Sequence, residues 1–141
     1  MLLAERWNRP DLTSPRPRIA IESMAGTWQK TNGTPQWLDS LIVDAEGDAL
    51  FVTVFGSAPP SPPDWGRVKA SATFGANVAD AASPAGGFIA YYRFDGFNVE
   101  LQANLNLGLL VVATFVHFTE PREWSDRFTR EFFFRANGDG Q

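Results

Sequence analysis

Phe97-Asn98-Val99-Glu100-Leu101-Gln102-Ala103-Asn104-Leu105 is the stretch that decides the fold. Phe97, Val99, Leu101, Ala103 and Leu105 share one face of an extended chain; Asn98, Glu100, Gln102 and Asn104 share the other. Alternation with period two over this length specifies a half-buried β-strand. Asp95-Gly96 just before it is a strong hairpin turn, and Asn106 and Gly108 bracket a second one just after.

Working outward, the same reading predicts Phe88 to Phe94 as the strand before and Leu109 to Phe118 as the strand after. A polar loop over residues 119–126 leads to a last strand, Arg127 to Arg135. Upstream, Gly26 to Thr31 is a first strand, ended by Asn32-Gly33-Thr34-Pro35. Leu38 to Asp44 is the second, and Glu46-Gly47-Asp48 turns into the third, Ala49 to Phe55, rich in β-branched and aromatic residues. Pro59, Pro60, Pro62 and Pro63 follow; lacking N–H groups, they form a loop and not a central strand. Trp65 to Phe74 is the fourth strand, and residues 76–87 are an Ala/Gly-rich loop. Eight antiparallel strands with short turns would leave two open edges in a flat sheet. Closure removes them, so the prediction is an all-β, eight-stranded antiparallel up-and-down β-barrel, with a β-sandwich as the alternative. The barrel spans residues 23–136. Residues 1–22, broken by Pro10, Pro15 and Pro17, form an N-terminal arm (a packed or frayed segment, or a lid, plug or dimer contact anchored by Trp7), and 137–141 a flexible tail.

The chain has 141 residues, a net charge of −4, no cysteine and one histidine. A domain of this size buries roughly 70% of its unfolded surface, so it folds without disulfide or metal. Thiol chemistry, thiolate metal sites and a multi-histidine zinc site are excluded. No cofactor is expected. The acidic balance argues against broad nucleic-acid binding. The longest apolar stretch, Leu107 to Phe118, is far short of the roughly 20 residues of a membrane-spanning helix. A soluble cytoplasmic protein without membrane partner is expected.

Two motifs carry a resemblance. Gly26-Thr27-Trp28 resembles the G-x-W start of lipocalins, avidins and related calycin barrels. The resemblance implies a glycine that brings the chain close to the barrel floor and a Trp28 packed across that end. It also implies an arginine of the last strand, Arg135 or Arg130, over the indole. Phe55-Gly56-Ser57-Ala58-Pro59-Pro60-Ser61-Pro62-Pro63-Asp64-Trp65-Gly66 resembles a loop of small bacterial β-barrel domains whose usual form is W-G-x-C-x-P-x-D-C-D-W-G. Pro60, Asp64, Trp65 and Gly66 match; Ala58 and Pro63 stand where that form has cysteines. The resemblance implies a calycin-like barrel and does not fix an activity.

Candidate site residues follow from the face assignments. On the last strand Phe128, Arg130, Phe132 and Phe134 form the more apolar parity, which points Arg130 inward as a ligand-binding or paired guanidinium. His117 shares a face with Phe115, Ala113 and Val111, and its intrinsic pKa suits acid–base work. Tyr92 lies on the inner parity of its strand, where its phenol is an oriented donor. Glu100 is a candidate base if the polar face of its strand is inside. Trp28 and Trp65, with Trp37 and Trp124, sit at the barrel mouths, where aromatics close the core or line a pocket. Arg130, Tyr92, Phe115, His117, Phe132, Trp28 and Trp65 are therefore the ligand-binding candidates. No catalytic constellation is legible: no nucleophile elbow, no phosphate loop and no metal-ligand set. Three functions follow: binding of a small hydrophobic or aromatic molecule in the lumen or mouth; a cofactor-independent cyclase of the pericyclase type; or a glycan- or protein-binding surface module. A homodimer is compatible with each.

Overall fold

A computed structural model describes residues 21–31, 37–74, 85–120 and 125–136. The expectations for Trp7, for Trp124 and for the tail fall outside those residues. Eight strands, β1 (Gly26–Lys30), β2 (Leu38–Glu46), β3 (Ala49–Gly56), β4 (Asp64–Phe74), β5 (Ala85–Phe94), β6 (Phe97–Asn106), β7 (Leu109–Phe118) and β8 (Arg127–Arg135), pair in chain order. β8 pairs with β1 through Trp28 opposite Arg135 and Lys30 opposite Phe133, which closes an antiparallel up-and-down barrel. The expected fold class, a closed eight-stranded antiparallel up-and-down barrel, is thus present, and it is consistent with the calycin-like resemblance. The strands run as predicted to within a few residues; β5 starts earlier, at Ala85, inside the predicted Ala/Gly loop.

The turn chemistry explains the meander. Phe94 pairs with Phe97 across Asp95-Gly96, and Asn106 pairs with Leu109 across Leu107-Gly108. Both central residues of the second turn have positive φ, 54° at Leu107 and 84° at Gly108, as a type I′ turn requires.

Each end of the barrel is shut. At one end a 3-10 helix, Ile21–Met24, buries Ile21 and Met24. Ile21 and Glu22, assigned above to the arm, therefore belong to the barrel cap. Trp28 Nε1 donates to Met24 O (3.0 Å), and the Arg135 guanidinium lies 4.4 Å from the Trp28 ring centre. Arg135 also donates to Ala25 O and to Ser23 O. Gly26 has φ +142°, which favours glycine, and a Cβ there would also press on Arg135 Nη1 at 2.8 Å. At the other end six rings form a chain. Trp37 contacts Phe97 (5.8 Å) and Phe118 (6.4 Å), Phe97 contacts Phe94 (5.0 Å), and Trp65 packs on Phe94 (5.4 Å) and Tyr92 (5.2 Å). Between the two caps, Leu41, Val52, Val54, Phe88, Leu101, Leu110, Val112 and Phe133 join one continuous buried cluster.

The face of β8 is the reverse of the one expected. Glu131 and Phe133 are buried, whereas Phe128 is 58% exposed, Phe132 and Phe134 are each 43% exposed, and Arg130 is exposed. Arg130 and Phe132 therefore stand on the outer wall. Counting apolar residues misassigns this strand because both parities carry phenylalanine. The β1–β8 pairing decides it: directly opposed residues share a face, so inward Trp28 gives Arg135, which lies over its ring at the barrel end, the inner parity, and Phe133 and Glu131 follow.

Glu131 is accommodated by a partner. Its Oε2 lies 3.0 Å from Lys30 Nζ, with both side chains at least nine-tenths buried. That contact is an ion pair without hydrogen-bond alignment. Oε1 accepts from Thr129 Oγ1 and from Leu38 N, each at 3.3 Å. Removing one member of a buried pair leaves an uncompensated charge, whereas replacing both restores an apolar core. Glu131→Leu is expected to cost about 3–5 kcal/mol, and adding Lys30→Met to recover most of it. Urea denaturation of the single and double variants checks this; a double variant no more stable than Glu131→Leu would show that the pair is not the cause.

Candidate functional site

The seven candidates separate into two groups. Trp28, Trp65 and Tyr92 are buried and hold the barrel together. Trp65 Nε1 donates to Pro62 O (3.0 Å) and Ser61 Oγ (3.2 Å), and Ser61 Oγ donates to Trp37 O (2.7 Å). Gly56 N donates to Pro63 O (3.1 Å), and a Cβ on Gly56 would strike Pro62 O. The proline loop is thus a bracket that fixes Trp37 and Trp65 over the core. The Tyr92 hydroxyl contacts Gly66 O (2.9 Å) and Val52 O (3.2 Å). Burial, and then the charge of Asp64, push the phenol well above the usual tyrosine range, so it stays protonated as a donor to backbone.

Arg130, Phe115, His117 and Phe132 come together instead on the outer wall of β5–β8. Cross-strand register arranges that wall in rows. Tyr91, Glu100, Phe115 and Phe128 form one row, and Ile89, Gln102, Ala113 and Arg130 the next. Gly87, Asn104, Val111 and Phe132 form a third. Read by column, β6 presents polar side chains, β7 small and apolar ones up to His117, and β8 phenylalanines around Arg130. Phe115 (40% exposed) and Phe128 pack at 4.9 Å between ring centres. Beside them Ala113 projects little and leaves a depression. The result is a groove of about 440 Å³ walled by Phe115, Phe128, Arg130, Gln102, Asn104 and Ile89. A second depression of about 360 Å³ lies across Phe115, between Tyr91, Arg93, Asn98, Glu100 and His117.

The polar groups on this wall are oriented to different degrees. Gln102 Nε2 donates to Glu100 Oε2 (2.6 Å). His117 Nδ1 donates to Asp126 Oδ2 (2.8 Å), and Phe118 N donates to Asp126 Oδ1 (2.9 Å). Asp126 thus selects the His117 tautomer that leaves Nε2 open to solvent. Arg130 has no ion or hydrogen-bond partner among the described residues. Among those residues no group of three or more metal-ligating side chains forms, and no helix is long and apolar enough to cross a membrane.

Sequence reading missed Phe128 as a surface residue, Asp126 as the partner of His117, and the Lys30–Glu131 pair. One clue was present for the first: had Arg135 alone been taken as the cover of Trp28, parity would have placed Phe128, Arg130, Phe132 and Phe134 outside.

The His117 hydrogen bond, reinforced by the Phe118 amide, holds the Asp126 carboxyl below its ordinary range. A depressed folded-state pKa means that the contact stabilises above the ordinary aspartate pKa and is lost as pH falls through the lower folded value. Carboxyl NMR titration of wild type and His117→Phe is expected to show Asp126 moving up toward the ordinary range in the variant. An unchanged titration would remove His117 as the cause. No protein-family model, no curated protein and no solved structure matches this chain.

Proposed function

We propose that this barrel is a binding module whose working surface is the outer wall of β7 and β8, and that its partner is a protein surface. One observation carries the reading: four phenylalanines stand bare on that wall while the interior is filled by other side chains. Roughly 300–600 Å² is already the largest apolar patch of an ordinary monomer, and such patches mark interaction sites. The opposite wall shows the contrast. There the outward Phe51 is covered by the Arg67 guanidinium at 3.9 Å, itself held by Asp44 and Glu46 at 2.8 Å each. On the β7–β8 wall no such cover is formed among the described residues.

A small hydrophobic or aromatic molecule, the first expectation above, keeps Arg130, Phe115, His117 and Phe132 as its contacts only if it binds outside the barrel. The groove is open along its length, whereas small-molecule sites enclose most of their ligand. The groove suits better as the socket for an anchoring side chain, with Arg130 opposite a partner carboxylate. The cytoplasmic compartment expected above remains part of this proposal.

A surface kept for binding contributes little to folding. Phe128→Thr and Phe132→Thr are each expected to cost less than about 1 kcal/mol, against about 3–5 kcal/mol for Phe133→Ala in the core. The paired threonine variant is expected to lose binding of an anionic naphthalene dye that wild type takes up. Denaturation below micromolar concentration and dye fluorescence are the measurements. Threonine variants that cost as much as Phe133→Ala would show that the wall is covered within the single chain, and the reading would fail.

A further inference from the structure

From the pattern of charge on the same wall we infer that the partner is a second copy of this chain, docked face to face about a two-fold axis that runs along β7. The inference rests on the reading of the wall as a binding surface and adds the identity of the partner.

The columns decide the axis. A two-fold axis lying in the contact plane and parallel to β7 places β7 on β7 and exchanges the two flanks, so β8 of each copy lies over β6 of the other. β7 contributes half-buried Leu109 and Ala113 and exposed Phe115 to the centre, with Val111 of the same parity already buried; this is an apolar seam with no charge. On one flank stands Arg130, exposed and without an ion or hydrogen-bond partner among the described residues. On the other, in the same row and the next, stand Gln102 and Glu100. The exchange therefore brings each Arg130 over the Glu100–Gln102 pair of the other copy. Glu100 has used only Oε2 to hold Gln102, so Oε1 remains to accept from the guanidinium. Two identical ion pairs form, related by the axis, as an isologous interface demands. An axis perpendicular to β7 would instead set Arg130 against Arg130.

Shape agrees with charge. In the same superposition Phe132 lies over Asn104, at the wall of the groove that Gln102, Asn104 and Ala113 line. Phe128 lies over the row of Tyr91 and Glu100, beside the second depression. The apolar seam, four same-face residues separated by three steps of about 6.7 Å, extends about 20 Å. Three strand columns add a width of about 15–20 Å, the convex barrel turning further columns away. The contact is then about 300–400 Å² per copy, in the range of weak, transient contacts.

Sedimentation velocity of the full chain between about 1 and 200 µM tests this. The expected result is a monomer–dimer equilibrium with a micromolar dissociation constant, weakened about tenfold or more by Arg130→Glu and by Glu100→Arg singly. The protein carrying both reversals is expected to dimerise again within about threefold of wild type, because the pairs re-form with opposite sign. A chain that stays monomeric throughout, or a dimer indifferent to Arg130→Glu, overturns the inference. So does a double reversal as weak as the sum of the singles. The threonine variants keep the two levels apart. If they fold normally in a monomeric protein, the wall still serves a different protein; if they unfold the chain, both readings fall together.

Discussion

The pairing of Trp28 with Arg135 is the constraint on which the rest of this structure depends. It is at once the stitch that closes β1 onto β8 and the contact that shuts one end of the barrel. The guanidinium stacks on the indole and ties Ala25 and Ser23 through their carbonyls. Because side chains alternate along a strand, fixing Arg135 over the Trp28 ring fixes the parity of every other residue of β8. Phe133 and Glu131 turn toward the core; Phe134, Phe132, Arg130 and Phe128 turn toward solvent. A shift of one residue in this pairing would exchange the two sets, bury Arg130 without a partner and expose Phe133. The position of one indole thus determines that the bare aromatic face exists.

The interior follows from the same parity. Glu131, delivered inside by its strand, meets Lys30, which is inward because Trp28 is inward two residues earlier. Neither charge would survive in that place alone, so the two positions depend on each other. The caps do the remaining work. The proline loop is held by a network in which Ser61 and Pro62 receive Trp65, and Trp37 receives Ser61. Rings fixed in this way occupy the mouth in which a lumen ligand was expected to sit. Trp65, expected at a barrel mouth, and Tyr92, expected on the inner face, are both buried there in a packing role that the sequence did not distinguish from ligand contact.

Strand order, the hairpin turns and the barrel were legible because each rests on local chemistry. Period-two alternation in β6, Asp95-Gly96, Leu107-Gly108 and four prolines between β3 and β4 need no partner to be read. The inside and outside of β8 were not, because Arg127 to Arg135 places phenylalanine on both parities and a charged residue on both. Such a strand is assigned by its neighbour across the sheet, which lies about a hundred residues away in β1. The Lys30–Glu131 pair was hidden for the same reason, since buried partners across a closing seam leave no spacing pattern. His117 was legible as a candidate on the face of Phe115; what could not be read was Asp126, brought to it by a loop whose path the polar composition does not specify.

Closure also limits how such a protein can meet another. An open sheet offers its edge, and partners add a strand to it. A closed barrel has no edge, so recognition has to pass through side chains on the wall, and a wall tolerates binding only where its strands can bear exposed apolar groups. β7 is suited to this: its residues of outward parity are small in the middle, Ala113 and Val111, and aromatic at Phe115. Its flanks differ in charge, Arg130 on one side and Glu100 on the other. A face that is apolar along its centre and opposite in sign at its two margins is complementary to itself under one rotation. The parity set by Trp28 and Arg135 is what puts all three columns on the same side of the wall.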